Sequence, residues 1–174
     1  PLLLIHNTSV SSEKVVYSKE QLKENALIEI NYDKLIYLLI THYRLEQNPF
    51  YKEMSEYFVN EINDEIRSVG QALAKKYNQN KLIETFKIVY SSDDKDEKLY
   101  AYELLTATTH KKDKGQLQII YNLINSSELE KSFLYHQQGE KIGLRKIMKS
   151  IIAEESHQFS PLLRASAIYV LGQN

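Results

Sequence analysis

An all-α fold is what this sequence predicts, and three observations carry the prediction. Only five Gly and three Pro interrupt 174 residues. The stretches between them are rich in Leu, Ile, Lys, Glu, Gln and Tyr, a helical composition. No run of strict two-residue alternation bounded by Asn-Gly or Asp-Gly turns offers a sheet its register. Seven to nine helices joined by short polar loops are expected within one domain, residues 1–174.

The first periodic stretch begins at Ser18, with Gln21 three residues later as a capping box, and carries Leu22, Ala26 and Ile30 on one side. A break follows at Asn31. From Asp33, a natural N-cap, Ile36, Leu39 and Tyr43 run along one face with Leu35 and Leu38 beside them. That helix ends near Gln47-Asn48-Pro49, because Pro disfavours helical geometry in the residue before it. In the longest pattern Tyr51, Met54, Phe58, Ile62, Ile66, Val69, Leu73 and Tyr77 recur at steps of three or four. Such a rod is ~40 Å long. Lys52, Glu53, Glu56, Asp64 and Glu65 form its wet side, and Gly70 marks a close crossing or a slight bend.

Leu82, Ile83, Phe86, Val89 and Tyr90 predict a short helix that stops at Ser91-Ser92-Asp93-Asp94. The same cluster starts the next helix, since Asp94 with Glu97 is an N-cap arrangement and both acids suit the positive end of a helix dipole. Leu99, Tyr102, Leu105 and Thr109 make its seam, with Ala101 as a small contact point. His110-Lys111-Lys112-Asp113-Lys114-Gly115 reads as a loop. Leu117, Ile120, Tyr121 and Ile124 form a further helix up to Asn125-Ser126-Ser127, and Leu129, Phe133 and Leu134 a shorter one that Gln137-Gln138-Gly139 breaks. Leu144, Ile147, Met148, Ile151 and Ile152 repeat at helical spacing opposite Lys141, Arg145 and Lys149. Ser160-Pro161, an N-cap followed by Pro in the first turn, starts a last helix through Leu163, Ala167 and Leu171.

Internal similarity decides between a globular bundle and a stack of repeats. Lys98-Leu99-Tyr100-Ala101-Tyr102-Glu103-Leu104-Leu105 can be laid on Arg164-Ala165-Ser166-Ala167-Ile168-Tyr169-Val170-Leu171. A basic residue, an Ala three positions on and a Leu four further on coincide. A small Ala lets a helix cross its partner closely while the Leu fills the groove one turn later.

At these residues the chain resembles HEAT-type helical repeats, most clearly over Ser160-Pro161-Leu162-Leu163-Arg164-Ala165-Ser166-Ala167-Ile168-Tyr169-Val170-Leu171-Gly172. The order of a long amphipathic helix ending in Leu73-Ala74-Lys75-Lys76-Tyr77, a short helix, then Ser92-Asp93-Asp94 before Ala101-Tyr102-Glu103-Leu104-Leu105 is similar to the HEAT-like region that follows the membrane part of bacterial proteins related to nucleotide (ATP:ADP) transporters. Thr106 stands where that pattern often has Asp. The resemblance implies an α-solenoid, a HEAT-like superhelix of antiparallel helix pairs, acting as a cytoplasmic interaction or regulatory module attached to a transporter-like membrane domain. Transport would belong to membrane helices outside these residues, so no transport or nucleotide-binding residue is carried over.

Composition bounds the function. Without Cys, disulfide scaffolds and thiolate catalysis are excluded, and 43% hydrophobic residues with a net charge of -1 exclude a disordered segment. No window reaches the ~18 uninterrupted apolar residues of a membrane span, so this segment is expected not to insert. Pro1-Leu2-Leu3-Leu4-Ile5 lacks the basic start and cleavage site of a signal peptide, and both ends read as excision points from a longer polypeptide.

The motif search points away from catalysis. Five His at 6, 42, 110, 136 and 157 never fall at the His-Glu-x-x-His spacing, and His42 with Glu46 reads as a surface contact. His157 beside Glu154 and Glu155 reads as a helix end, and Asp93, Asp94, Asp96 and Glu97 as caps, because the Gly and Glu of a calcium loop are out of register. Gly139 and Gly143 lack the rest of a phosphate loop, and no Ser sits in a nucleophile elbow. Asn7-Thr8-Ser9 and Asn125-Ser126-Ser127 match glycosylation sequons and read as loops. No enzyme activity, cofactor or metal is expected.

The candidate interaction surface is aromatic and basic. Tyr100, Tyr102, Tyr121 and Tyr135 come from neighbouring elements and can join into one amphipathic patch, beside a basic face of Lys141, Arg145, Lys146 and Lys149 and a basic loop of Lys111, Lys112 and Lys114. The expected partner is a protein or another domain of the same chain. Nucleic acid is not expected without net positive charge or Trp, although helical-repeat DNA glycosylases supply the competing enzyme reading, which a concave basic groove with a buried carboxylate would favour. A plain bundle that only oligomerises is the third reading.

Overall fold

The computed structural model describes residues 28–48, 51–127, 144–153 and 159–172. Seven helices form among them and no strand: α1 (Tyr32–Glu46), α2 (Lys52–Tyr77), α3 (Lys81–Ser91), α4 (Lys95–Thr108), α5 (Lys111–Asn125), α6 (Leu144–Ala153) and α7 (Pro161–Gly172). The stretch from Ser18, the helix expected at Leu129–Leu134 and the His157 cluster lie outside the described residues, apart from Ile30, which is buried just before α1.

Local chemistry sets the boundaries. Asn31 rather than Asp33 caps α1, its Oδ1 accepting from Lys34 N at 3.2 Å. Asp94 Oδ1 accepts from Asp96 N at 2.8 Å and Glu97 N at 3.2 Å, and Ser160 Oγ accepts from Leu163 N at 3.2 Å, so both caps of the paired Ala helices form. α2 ends on Asn78 at φ 50°, ψ 44°, a left-handed geometry that Asn tolerates. Gln79 N then donates to Ala74 O at 2.9 Å, closing the last turn. The expected loop from His110 to Gly115 is instead the start of α5: His110 occupies the cap position, and its carbonyl accepts from Lys114 N at 3.0 Å. A charged run with one Gly looks like a loop, yet an opening turn needs no apolar residue when its amides face water.

The α1–α2 pair is the spine. α3 and α7 pack on α2, α5 and α6 pack on α1, α4 lies against α3 and α5, and α6 pairs with α7. Met54, Phe58, Ile62, Ile66, Val69 and Leu73 are all buried along α2, as the step-of-three-or-four pattern requires. Gly70 sits at a close crossing, where an added Cβ would lie 3.4 Å from the Ile83 Cα of α3. Ala101 and Ala167 are both buried contact points. Leu99, placed in the α4 seam by spacing, is exposed because the helix turns Ala101 and Leu105 inward.

Two acids of α2 are also inside. Glu65, assigned to the wet side, is buried and pairs with Lys34 of α1 at 2.7 Å. Glu61 accepts from Ser160 N at 2.7 Å, so one carboxylate on α2 holds the amino end of α7. Tyr37 of α1 meets Phe159, just before α7, with ring centroids 6.2 Å apart. No helix among the described residues is long and apolar enough to cross a membrane.

Candidate functional site

Three features stand out from the packing, and the expected aromatic surface is the first. Tyr102 of α4 and Tyr121 of α5 stack with centroids 4.2 Å apart and planes at 27°, and the Tyr102 hydroxyl donates to Gln118 Oε1. Burial, and then the neighbouring Tyr121, push the Tyr102 hydroxyl's pKa up. Tyr100 is 69% exposed. Two residues on an α-helix are separated by about 200°, so Tyr100 points away from the Tyr102–Tyr121 stack. Tyr135 and Lys141 lie outside the described residues, while Arg145, Lys146 and Lys149 are exposed along α6. Of the candidate surface residues, the structure therefore brings Tyr102 and Tyr121 together and sets Arg145 and Lys149 one turn apart on α6.

The second feature joins α1, α2 and the opening turn of α5. Asp113 is 2% exposed. Its Oδ2 is 2.8 Å from Lys76 Nζ and accepts a hydrogen bond from the Tyr77 hydroxyl, which in turn accepts from His110 N at 2.9 Å. The His110 ring lies edge-on to Tyr77 at 5.3 Å. Tyr32 Oη is buried beside the same carboxylate.

These contacts fix the protonation states. Burial pushes the Asp113 carboxyl up, but the hydrogen bonds from Lys76 and Tyr77 and the Lys76 charge outweigh it, holding the carboxyl below its ordinary 3.8. Burial and the Asp113 hydrogen bond push the Tyr77 hydroxyl up to about 12, and burial with the Asp113 charge pushes Tyr32 higher still. Asp113 is thus an ionised, occupied carboxylate. A neighbouring cavity of about 380 Å³ is lined by Glu29, Tyr32, Asp33, Lys76, Lys112, Asp113 and Gln116 among others. Acids outnumber bases on that wall, which is unsuited to phosphate. Spacing missed the network because Asp113 sat in an apparent loop. The one available signal was that Asp113 falls in the first turn of a helix, where acids are favoured.

The third feature is mostly apolar. Met54, Glu56 and Tyr57 of α2 face Leu162, Ala165, Ser166, Tyr169 and Val170 of α7 across an open, mostly apolar groove of about 430 Å³. Leu162, Ile168 and Tyr169 are 58%, 57% and 62% exposed, and Tyr57 and Val59 also reach the surface. α7 buries Leu163, Ala167 and Val170, so it is apolar on both its inner and outer sides. No protein-family model, curated protein or solved structure matches the chain.

The remaining expectations find these positions. His42 Nε2 lies 3.7 Å from Glu46 Oε1, a contact within α1. Asp94 is spent on its cap, and the Glu97 carboxylate accepts from the Ser92 hydroxyl. Among the described residues no group of three or more His, Asp or Glu is placed to hold a metal.

Proposed function

We propose that this chain is a non-enzymatic protein-interaction or regulatory scaffold, built as a HEAT-like arrangement of helix pairs, whose partner is a protein or another domain of the same polypeptide. The observation that carries the reading is the outer side of α7, where Leu162, Ile168 and Tyr169 stand exposed beside the groove to Met54 and Tyr57. Contiguous exposed apolar surface marks an interaction site more often than an accident of packing. The matched Ala101 and Ala167 contacts support the stacking of pairs, with α6–α7, α1–α2 and the α3–α4 unit as neighbours. A bacterial, cytoplasmic, transporter-linked setting is supported by the resemblance carried by Leu73–Tyr77, the short helix after it, Ser92-Asp93-Asp94 and Ala101–Leu105, and hydrophobic spans upstream in the full reading frame are the observation expected of it.

A photo-reactive residue at position 168 in the parent protein, irradiated in its own cells, tests the reading. A discrete adduct from 168 and none from position 71, on the exposed side of α2, is expected. Adducts from both positions alike, or from neither, would remove it.

A second reading, a nucleic-acid-directed enzyme of glycosylase type, draws on the buried carboxylate of Asp113 beside Lys76 and Lys112. Its weakness is chemical: a carboxylate held ionised by an ammonium and a phenol is a poor general base, and Glu29 and Asp33 on the same wall repel phosphates. DNA binding that strengthens as salt is lowered and disappears in Lys112→Glu would favour it, and absence of binding at low salt retires it.

A further inference from the structure

We infer that the cavity lined by the opening turns of α1 and α5 and the end of α2 is a binding site for a small aliphatic amine, held by its ammonium group. This site is separate from the α7 face and does not depend on the scaffold reading. Within the network, Lys76, Tyr77 and Asp113 are spent on one another. Other polar groups lining the same space of about 380 Å³ are not. Glu29, Asp33 and Lys112 are exposed and take part in no ion pair among the described residues. Setting the Lys76–Asp113 pair aside leaves two carboxylates against one ammonium, so the wall favours a cation.

A second observation is independent of charge. Gln116 also lines the cavity, and its Oε1 is buried without a hydrogen-bond partner. Buried acceptors are ordinarily paired, and a carbonyl oxygen can be paired only by a donor. Lys112, one turn earlier on α5, does not supply it. Charge and hydrogen bonding therefore ask for the same group, a positively charged donor. A metal ion is a poor fit, because among the described residues no three His, Asp or Glu are placed together to hold one. The cation must bring its own donors and its own bulk. A primary ammonium has three N–H donors on a compact head. Ile28 and Ile30, on either side of Glu29 in the chain, line the cavity too and offer an alkyl stem apolar surface. At roughly 30 Å³ per water-sized group, the space takes about a dozen non-hydrogen atoms, which suits a short amine and excludes a nucleotide. Such an amine exists by itself or as an amino acid, whose carboxylate Lys112 is placed to meet.

The experiment is an NMR titration of the isotope-labelled chain with the diamine cadaverine, with lysine, and with pentanoate as an anion of similar length. Saturable shifts at the Gln116 side-chain amide and the Asp113 backbone amide are expected with cadaverine, and none with pentanoate. Glu29→Gln combined with Asp33→Asn is expected to weaken amine binding about tenfold or more, the usual loss when a charge-assisted hydrogen bond is removed. Its melting temperature should stay close to that of the wild type, since both carboxylates are exposed and unpaired. Gln116→Leu keeps the bulk, removes the acceptor and is expected to weaken binding as well. Lysine separates the two sources. Binding tighter than cadaverine that falls in Lys112→Gln assigns an amino acid, binding no tighter assigns a plain amine, and either result supports the ammonium site. No saturable shift with either amine, equal binding of pentanoate, or unchanged affinity in the acid or the Gln116 variant would overturn the proposal. The crosslink at position 168 is indifferent to these outcomes, so the two readings fail separately.

Discussion

At the C-terminal end of α2, Lys76 and Tyr77 converge on Asp113 of α5, whereas near its N-terminal end Met54 and Tyr57 meet α7 along an apolar groove that stays open. The first region is made of charges that have been taken from water and satisfied inside the protein. The second leaves apolar groups, Tyr57, Leu162 and Tyr169, facing water. Chemically the charged end looks more like a site, yet its groups are occupied by one another. The apolar end has unspent surface, and unspent surface is what a partner can use.

The comparison can be broken most forcefully at Asp113. Asp113→Ala leaves the Lys76 ammonium and the Tyr77 hydroxyl without their shared partner, and a loss of about 3 kcal/mol in denaturant unfolding is expected. A loss under about 1 kcal/mol would show that the network does not hold α5 to the spine. Glu61→Ala removes the buried carboxylate that accepts from Ser160 N, and a loss of about 2 kcal/mol is expected. Hydrogen exchange should localise that loss to α7, and a uniform loss across all helices would contradict the assigned role.

The charged end also predicts a pH response with two arms. Asp113 has its folded pKa below 3.8, so its contribution is complete above that value and fades as pH falls through the folded pKa. Tyr77, pushed from 10.0 to about 12, contributes fully below pH 10 and loses its contribution as pH rises through the folded value. Tyr77→Phe should therefore flatten part of the alkaline decline in stability. Tyr32, Tyr90 and Tyr102, raised in the same direction, keep the rest. An unchanged alkaline slope in Tyr77→Phe would count against the hydrogen bond to Asp113.

Smaller effects sharpen the contrast. Gly70→Ala adds helix propensity of about 1 kcal/mol, partly offset by a Cβ placed 3.4 Å from the Ile83 Cα, so a net gain below about 1 kcal/mol is expected in thermal unfolding. A loss would mean that the α2–α3 crossing is tighter than this spacing. Ile168→Ser with Tyr169→Ser should change monomer stability by less than about 0.5 kcal/mol, because both side chains are mostly in water already. A large loss would place that face in the core and leave no surface for docking.

Much of the helix architecture was legible because it is local. The seam of α2 follows from apolar spacing alone, the Asp94 and Ser160 caps follow from residue type and position, and Gly70 marked a crossing that the structure contains. What was misread involves a second helix. Glu65 has the pattern of a surface acid until Lys34 of α1 is placed beside it, and Leu99 has the spacing of a seam residue until α3 and α5 choose the other side of α4. The Asp113 network was hidden for the same reason, since residues 76, 77 and 113 have no relation in spacing.

The amino-acid sequence by itself determined the helices and most of their limits, because periodicity, capping and Gly or Pro placement act within a few residues of chain. Only tertiary structure decided that α7 docks on α2, that Glu61 and Glu65 are interior, and that Leu162, Ile168 and Tyr169 are left outside. Apolar residues on two opposite sides of a helix state that it seeks two neighbours. Which neighbour it finds within its own chain depends on how rods of particular length and shape fit together, and local pattern does not encode that fit.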